Sequence, residues 1–558
     1  MGLLDCLARH WTSNPPVKTP EQIEAERYLI CIPWFGNRYF TLKCLEFNRW
    51  YLFVASFLCQ FCCGSLYSFS IYNTPIDTYI YNDKSKGNAV YTFYIACGLL
   101  GSTAALLGPW LERNGPRAGL FLGATCFFTG NIIAAISLQN KSMVGVYLGY
   151  GLVAGFGLGI NYISPVSALQ KWFPDMRGTA AGFAVGGFGA GSIVWGKVYI
   201  PAIDTFGLPG QFFFLGSVMS FVMYCCAVVM RTPPPGFTAG GLNIHGVIGT
   251  DEHSTVDEKV IAAAEKENCH EDTTEFQALN TPVADTPATA NEIDGTAAAH
   301  ALHQDGYKNV KNMSMINCLL SADFFFMYFM LFGNIVFGLV VLSRLAPMAT
   351  GIFKQTAAEG ANVVSINGAF NCCGRLFVPM VSDLLVRCFK LNPPFARKCI
   401  FFFTLVTQMV ILFTLPTIMR DKNYDLFRFE IWLLTLCYGG GFGTIPAFLT
   451  DMFGAYNIGA LHGFILTAWS FAGVGGGLAF TFHYNHLVNI EKIPIVDAYI
   501  QNINWIVITT VIGVIALFGV RTNPFDRFAP GYQYSVCGKP IIRIGQDKAA
   551  TAPTALNA

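Results

Sequence analysis

The sequence predicts an all-α membrane protein in which twelve membrane-spanning helices form two six-helix bundles. Three observations carry this expectation. Of 558 residues, 53% are hydrophobic and 12% charged, where soluble domains carry roughly 25%; the mean hydropathy is +0.45. Charge-poor apolar runs of about 20 residues, the length that crosses a hydrocarbon core, recur along the chain. They fall into six, a long polar gap and six, and the two sets echo one another.

In chain order, residues 1–47 are polar and mixed in charge. They hold no short apolar core followed by a cleavage site, so no secretory leader is expected and the first span would target the chain to the membrane. Spans near 50–72, 88–110, 118–140, 142–168, 178–196 and 206–230 make a first bundle, 48–231. Asn140-Lys141 and Asp175-Met176-Arg177 leave room only for tight turns between spans. Residues 232–318 are acidic, rich in Ala and Thr and poor in aromatics; such a stretch cannot bury a core and is expected to be mostly disordered. It reads as a linker, or alternatively as a phosphorylated regulatory segment with partners of its own. Spans near 322–343, 362–382, 399–419, 431–450, 457–481 and 500–520 make a second bundle, 319–521, followed by a weakly structured tail, 522–558. Lys and Arg concentrate on the side that would hold both termini and the central loop, which places that side in the cytosol. The plasma membrane is the expected location, an organellar membrane the alternative.

Composition also excludes classes. A net charge of +1 gives no reason to expect nucleic acid as a partner. The 18 cysteines include pairs such as Cys62-Cys63 and Cys372-Cys373 inside apolar runs and read as buried thiols. The cysteines are not read as metal pairs, and no phosphate loop or nucleophile–base set is present, so neither a metal, a cofactor nor an enzyme activity is expected.

The halves repeat. A Gly-rich stretch from Tyr150 to Pro165 runs into KWFPDMRGTAAGF and GGFGAGS; another from Tyr438 to Pro446 runs into DMFGAYNIGALHGF and AGVGGG. Matched segments of this kind point to a parallel structural repeat, and glycines let helices approach closely in lipid.

One residue breaks the pattern. The eighth span, NVVSINGAFNCCGRLFVPMVSD, carries Arg375 in its middle, whereas the other spans hold no Lys or Arg. A charge at that depth is costly unless it faces a cavity or a partner, which makes it a candidate functional group.

Between spans two and three the chain reads GPWLERNGPR, Gly108 to Arg117. With twelve spans behind it, this Gly-x-x-x-acid-Arg-x-Gly-x-Arg pattern resembles the signature of the major facilitator superfamily. Gly108 would allow close packing, Gly115 belongs to the same turn, and Glu112, Arg113 and Arg117 would form a charged latch between helices. The second-half counterpart keeps Ser382-Asp383 but has Pro379 and Val386 where glycine and basic residues are expected. Stretches such as SINGAFNCCGRLF, YGGGFGTIPAFLTDMFG and ALHGFILTAWSFAGVGG narrow the resemblance to the oxalate/formate antiporter family, a relative of the monocarboxylate transporters.

That resemblance implies a secondary active transporter of a small carboxylate, by proton symport or anion exchange, with the organic anion, protons in the first case, and the lipid bilayer as partners. It places the carboxylate on Arg375, whose fixed charge and planar donor fork suit such a group. Tyr67 of the first span and Tyr162 of the fourth would surround it, and Trp469 would close the cavity. The acidic residue found one turn before the arginine in monocarboxylate transporters is Asn371 here. The lysine of oxalate-transporting members is Trp469. A single fixed cation favours a monoanion such as formate, lactate or pyruvate; an oxalate/formate-type dicarboxylate exchanger and a transporter-like carboxylate sensor are the alternatives. His462, one to two turns before Trp469, would be a second cation when protonated, a proton carrier, or a neutral packing ring.

Overall fold

The computed structural model describes residues 10–11, 18–34, 38–83, 87–245, 313–528, 531–536 and 539–545. Ten helical stretches are long and apolar enough to cross a membrane. Two of them, Val90–Gln139 and Arg177–Val229, each hold two spans joined at a glycine: Gly115 (φ 80°, ψ 164°) and Gly207 (φ 70°, ψ 164°). These backbone angles suit glycine and turn the chain without a loop. The spans therefore number twelve, six before the central loop and six after it, as expected for the fold class.

Local chemistry sets the span starts. Ser142, Ser321, Thr356 and Asn423 each accept a backbone N–H three residues on, capping spans four, seven, eight and ten. The seventh span runs Ala322–Gly351 and the eighth Ala357–Phe389, longer than their apolar runs, because the helices continue past the uncharged stretch. Span one changes from α-helix (Tyr51–Cys63) to a 3-10 stretch (Gly64–Tyr72) and back (Asn73–Tyr81); span four opens with a π-turn stretch, Tyr147–Ala154.

Spans six, nine and twelve carry exposed apolar residues, among them Phe213, Phe221, Phe403, Phe413, Ile508 and Ile515, as a lipid-facing surface requires. The halves meet along two seams. In one, span two packs on span eleven: a Cβ on Gly108 would lie 2.5 Å from the Ala460 Cα, and the Gly101 N–H donates to Ser470 Oγ at 3.1 Å. In the other, span five packs on spans eight and ten. The repeat glycines serve this seam: Cβ atoms on Gly182, Gly439 and Gly443 would lie 2.4–2.7 Å from backbone oxygens of Asn371 or Arg375. The glycine-rich stretches thus let spans five and ten close around the eighth span where its arginine sits.

Three short hairpins on the face that bears the termini lie where no regular structure was expected: Cys31–Pro33 with Tyr39–Thr41, Thr238–Ala239 with Leu242–Asn243, and Tyr532–Val536 with Lys539–Ile544. Buried ionic groups hold two of them. Arg231 donates to the carbonyls of Glu26, Tyr28 and Leu29 at 2.7–2.9 Å. Burial and the neighbouring Arg117 push its pKa down to about 10. Asp526 accepts from Gln533 Nε2 and from the Ser535 N–H and hydroxyl. The remainder of the central loop, 246–312, lies outside the described residues.

Candidate functional site

Arg375 lies between the two halves and is 1% exposed. Its Nε donates to Asn371 Oδ1, one turn earlier on the same helix, at 2.9 Å. Its Nη2 donates to the Tyr67 hydroxyl at 3.1 Å. Its Nη1 reaches the Tyr162 hydroxyl at 3.5 Å and the Val185 carbonyl at 3.4 Å. The Phe442 ring centroid lies 4.8 Å from the guanidinium carbon and that of Phe188 at 5.5 Å. Every one of these partners is neutral. Among the described residues no carboxylate comes within ion-pair distance, although a buried cation ordinarily requires one.

The guanidinium borders a pocket of about 180 Å³ lined by Tyr67, Tyr162, Phe188, Phe442, Trp469 and apolar residues of spans two and eleven. The structure thus brings Arg375, Tyr67, Tyr162 and Trp469 together around one space. Phe188, Phe442, Leu100 and Leu466 complete the lining, and two polar residues behind it were likewise not assigned to the site by sequence reasoning. Tyr438 ties two of the lining residues together, bonding the Tyr67 hydroxyl at 2.9 Å and accepting from Trp469 Nε1 at 3.1 Å. Asn371, read from the sequence only as a missing acid, orients the guanidinium and keeps its own Nδ2 without a partner. Tyr438 opens the second Gly-rich repeat, which was its one available signal. His462 is buried beside the pocket, its ring 5.9 Å from that of Tyr162, and neither ring nitrogen has a hydrogen-bond partner. Among the described residues no carboxylate pairs with it.

On the termini face the halves are locked by two acids that cap facing helices. Glu112 accepts the Gly459 N–H at the start of span eleven at 2.6 Å, bonds Ser167 at 3.1 Å and pairs with Lys171. Asp383 accepts the N–H groups of Gly178 and Thr179 at the start of span five at 2.9 and 2.6 Å and pairs with Arg397 at 2.8 Å. An anion at a helix N-terminus is favourable because the first N–H groups lack partners. Between these caps, Asp451 accepts from Arg177 of the other half at 2.8 Å and from Arg397 at 3.1 Å.

This corrects the expected latch. Gly108 and Glu112 do meet the opposite half. Arg113, however, donates to the His10 carbonyl at 2.7 Å, and Arg117 to the Met230 carbonyl at 3.2 Å, so neither arginine spans the halves through these bonds. Gly115 supplies the turn. On this face Arg177 makes an ion pair across the halves, and its partner Asp451 stands in the matching repeat, DMR against DMF.

Comparison with known proteins agrees with this architecture. The chain is 24% identical over 192 residues to the uncharacterized MFS-type transporter YhjX of Escherichia coli (strain K12), covering 34% of this chain and 45% of that protein. It is 26% identical over 187 residues to the oxalate:formate antiporter of Oxalobacter formigenes (33% and 43% covered) and 25% identical over 154 residues to human monocarboxylate transporter 11 (28% and 32%). Each alignment spans less than half of the relative's length. Among solved structures, the proton:xylose symporter XylE superposes with a TM-score of 0.54 at 14% identity, covering 84% of this chain and 95% of that one. The human organic anion transporter MFSD10 (TETRAN) gives 0.53 at 11%, covering 84% and 98%. The structural likenesses establish the fold. The family profile described as Major Facilitator Superfamily matches residues 52–477, and the chain, an integral multi-pass membrane protein, belongs to that superfamily.

Proposed function

We propose that this protein is a secondary active transporter that moves a small monocarboxylate across a membrane by alternating access. The observation that carries the reading is the Arg375 guanidinium, buried beside a pocket with only neutral partners among the described residues. A carboxylate entering the pocket is the counter-ion this site lacks. Tyr67 and Tyr162 bring hydroxyls to the same place, and Trp469 and Phe442 give it apolar walls. The pocket is small and holds one fixed cation, which suits formate, lactate or pyruvate better than a dianion. The names of two relatives, an oxalate:formate antiporter and a monocarboxylate transporter, support the substrate class.

With the termini in the cytosol, the ionic caps at Glu112 and Asp383 close the cytosolic side, and this is the conformation open toward, or occluded from, the opposite side. Substrate release inward would require those caps to part while the halves rock about the site.

Exchange is the coupling that the charge balance favours. Without substrate the reorienting carrier would hold an uncompensated cation, so the empty carrier would return slowly and a second anion would speed it. Proton symport is the second reading and rests on His462, the titratable ring beside Tyr162. Proteoliposomes given radiolabelled formate, acetate, lactate, pyruvate and oxalate, with and without a pH gradient, test both. Accumulation of a monocarboxylate supports transport, and its stimulation by unlabelled anion inside supports exchange. Binding without accumulation would favour a sensor and overturn the reading.

A further inference from the structure

A second polar space lies inside the first half, away from Arg375. It measures about 220 Å³ including its opening and is lined by Ser65 and Tyr72 of span one, Asn131 of span three, Tyr150 of span four, Tyr199 of span five and Gln211 of span six. Some of these groups satisfy one another. The Tyr72 hydroxyl donates to Gln211 Oε1 at 2.8 Å, the Tyr199 hydroxyl to the Ser65 carbonyl at 3.0 Å, and Asn131 Nδ2 to the Phe127 carbonyl at 2.8 Å. Three lack a partner by hydrogen-bond geometry among the described residues: Ser65 Oγ, the Tyr150 hydroxyl and Gln211 Nε2, with the Ser65 and Tyr150 hydroxyls close enough to each other to interact. Their residues are 1%, 3% and 0% exposed. Exchanging the amide atoms of Gln211 changes nothing, since one of the two stays unpaired either way.

An unpaired polar group is costly anywhere in a protein interior and more so where lipid surrounds the bundle. Three around one space require an occupant. It carries no charge, because no ionised side chain lines the space, and it both donates and accepts, because hydroxyls and an amide N–H face it. Two walls of the space are also irregular helix. Ser65 and Tyr72 lie on the 3-10 stretch Gly64–Tyr72, and Tyr150 on the π-turn stretch Tyr147–Ala154. Such stretches rearrange the backbone hydrogen-bond ladder and recur at functional sites.

We propose that this space is an ordered-water site in which water bridges Ser65 Oγ, the Tyr150 hydroxyl and Gln211 Nε2 and supports the irregular turns of spans one and four. Tyr67 stands on the same 3-10 stretch, so the site holds in place the segment that carries a group bonded to Arg375. The inference does not depend on what Arg375 binds.

Radiolytic hydroxyl footprinting of the full-length protein in lipid nanodiscs, without substrate, tests it. A brief X-ray pulse makes hydroxyl radicals from water where it sits, so a side chain beside trapped water is modified although bulk solvent cannot reach it. Tyr150 should be modified in the wild type, and Gln211→Leu should lower that modification about fivefold by removing the anchoring amide and filling the space. Ser65→Ala, a milder change, should lower it in the same direction and serves if the first variant does not fold. Absence of Tyr150 modification in the wild type, or modification unchanged in both variants, would overturn the proposal.

Discussion

Replacing Arg177 with methionine isolates the contribution of one cross-half contact to the closed termini face. The guanidinium is 6% exposed and makes two bonds beyond its own turn: Nη1 to Asp451 Oδ1 at 2.8 Å and Nη2 to the Ile244 carbonyl at 3.0 Å. Methionine keeps much of the volume and removes both. Asp451 is not left as a lone buried charge, because Arg397 still donates to it at 3.1 Å. The loss is therefore close to one charge-assisted hydrogen bond, about 1.5–3 kcal/mol. That bond joins the halves and would be absent once they part at this face, so the equilibrium should move toward the opened state by roughly 10- to 150-fold. Hydrogen exchange in nanodiscs reads this directly. The amides of Gly178, Thr179 and Gly459, now held by Asp383 and Glu112, should exchange about tenfold faster or more in Arg177→Met. Exchange within twofold of wild type, with unchanged transport from both sides, would refute the assignment of these contacts as the gate.

Other expectations follow from the same geometry. Glu112→Gln should loosen the second cap and raise exchange at Gly459 more than at Gly178, since of these two amides it is that of Gly459 that donates to Glu112; equal effects at both would contradict two separate caps. Tyr67→Phe deletes the hydroxyl shared by Arg375 and Tyr438 and should raise KM for the carboxylate about tenfold, leaving the amount of protein in the membrane unchanged; an unaltered KM would remove Tyr67 from the site. Trp469→Lys places a second cation at the pocket wall and should improve oxalate relative to formate in competition assays. Asp526→Ala should release the hairpin Tyr532–Ile544 to protease while uptake changes little, because the hairpin lies far from the seam between the halves.

Much of this was legible in the sequence because membranes impose strong patterns. Apolar run length fixed the spans, and one arginine among uncharged runs marked the site without a structure. Tyr67 and Tyr162 were found through the resemblance, as was Trp469. Tyr438 escaped notice: among 23 tyrosines, only the approach of span ten to span one shows that its hydroxyl meets Tyr67. The cross-half pair was hidden for a similar reason. Arg177 and Asp451 stand in matched repeats, but their pairing depends on how the two bundles face each other. Glu112, Arg113 and Arg117 were read together as a latch from the resemblance to the superfamily signature, whereas the structure turns Arg113 toward the N-terminal segment and Arg117 toward the end of span six. The short hairpins were invisible because single buried ionic groups, Arg231 and Asp526, hold them rather than any strand pattern.

The central claim, that Arg375 is the carboxylate anchor, is tested most directly by exchange flux in proteoliposomes containing equal amounts of purified wild type, Arg375→Lys and Arg375→Ala. Vesicles loaded with unlabelled formate or lactate should take up the labelled anion rapidly with wild type. Arg375→Lys, which keeps the charge but loses the planar fork, should retain a small fraction of that rate, and Arg375→Ala should fall to the level of empty liposomes. Exchange by Arg375→Ala at a rate near that of wild type would contradict the account.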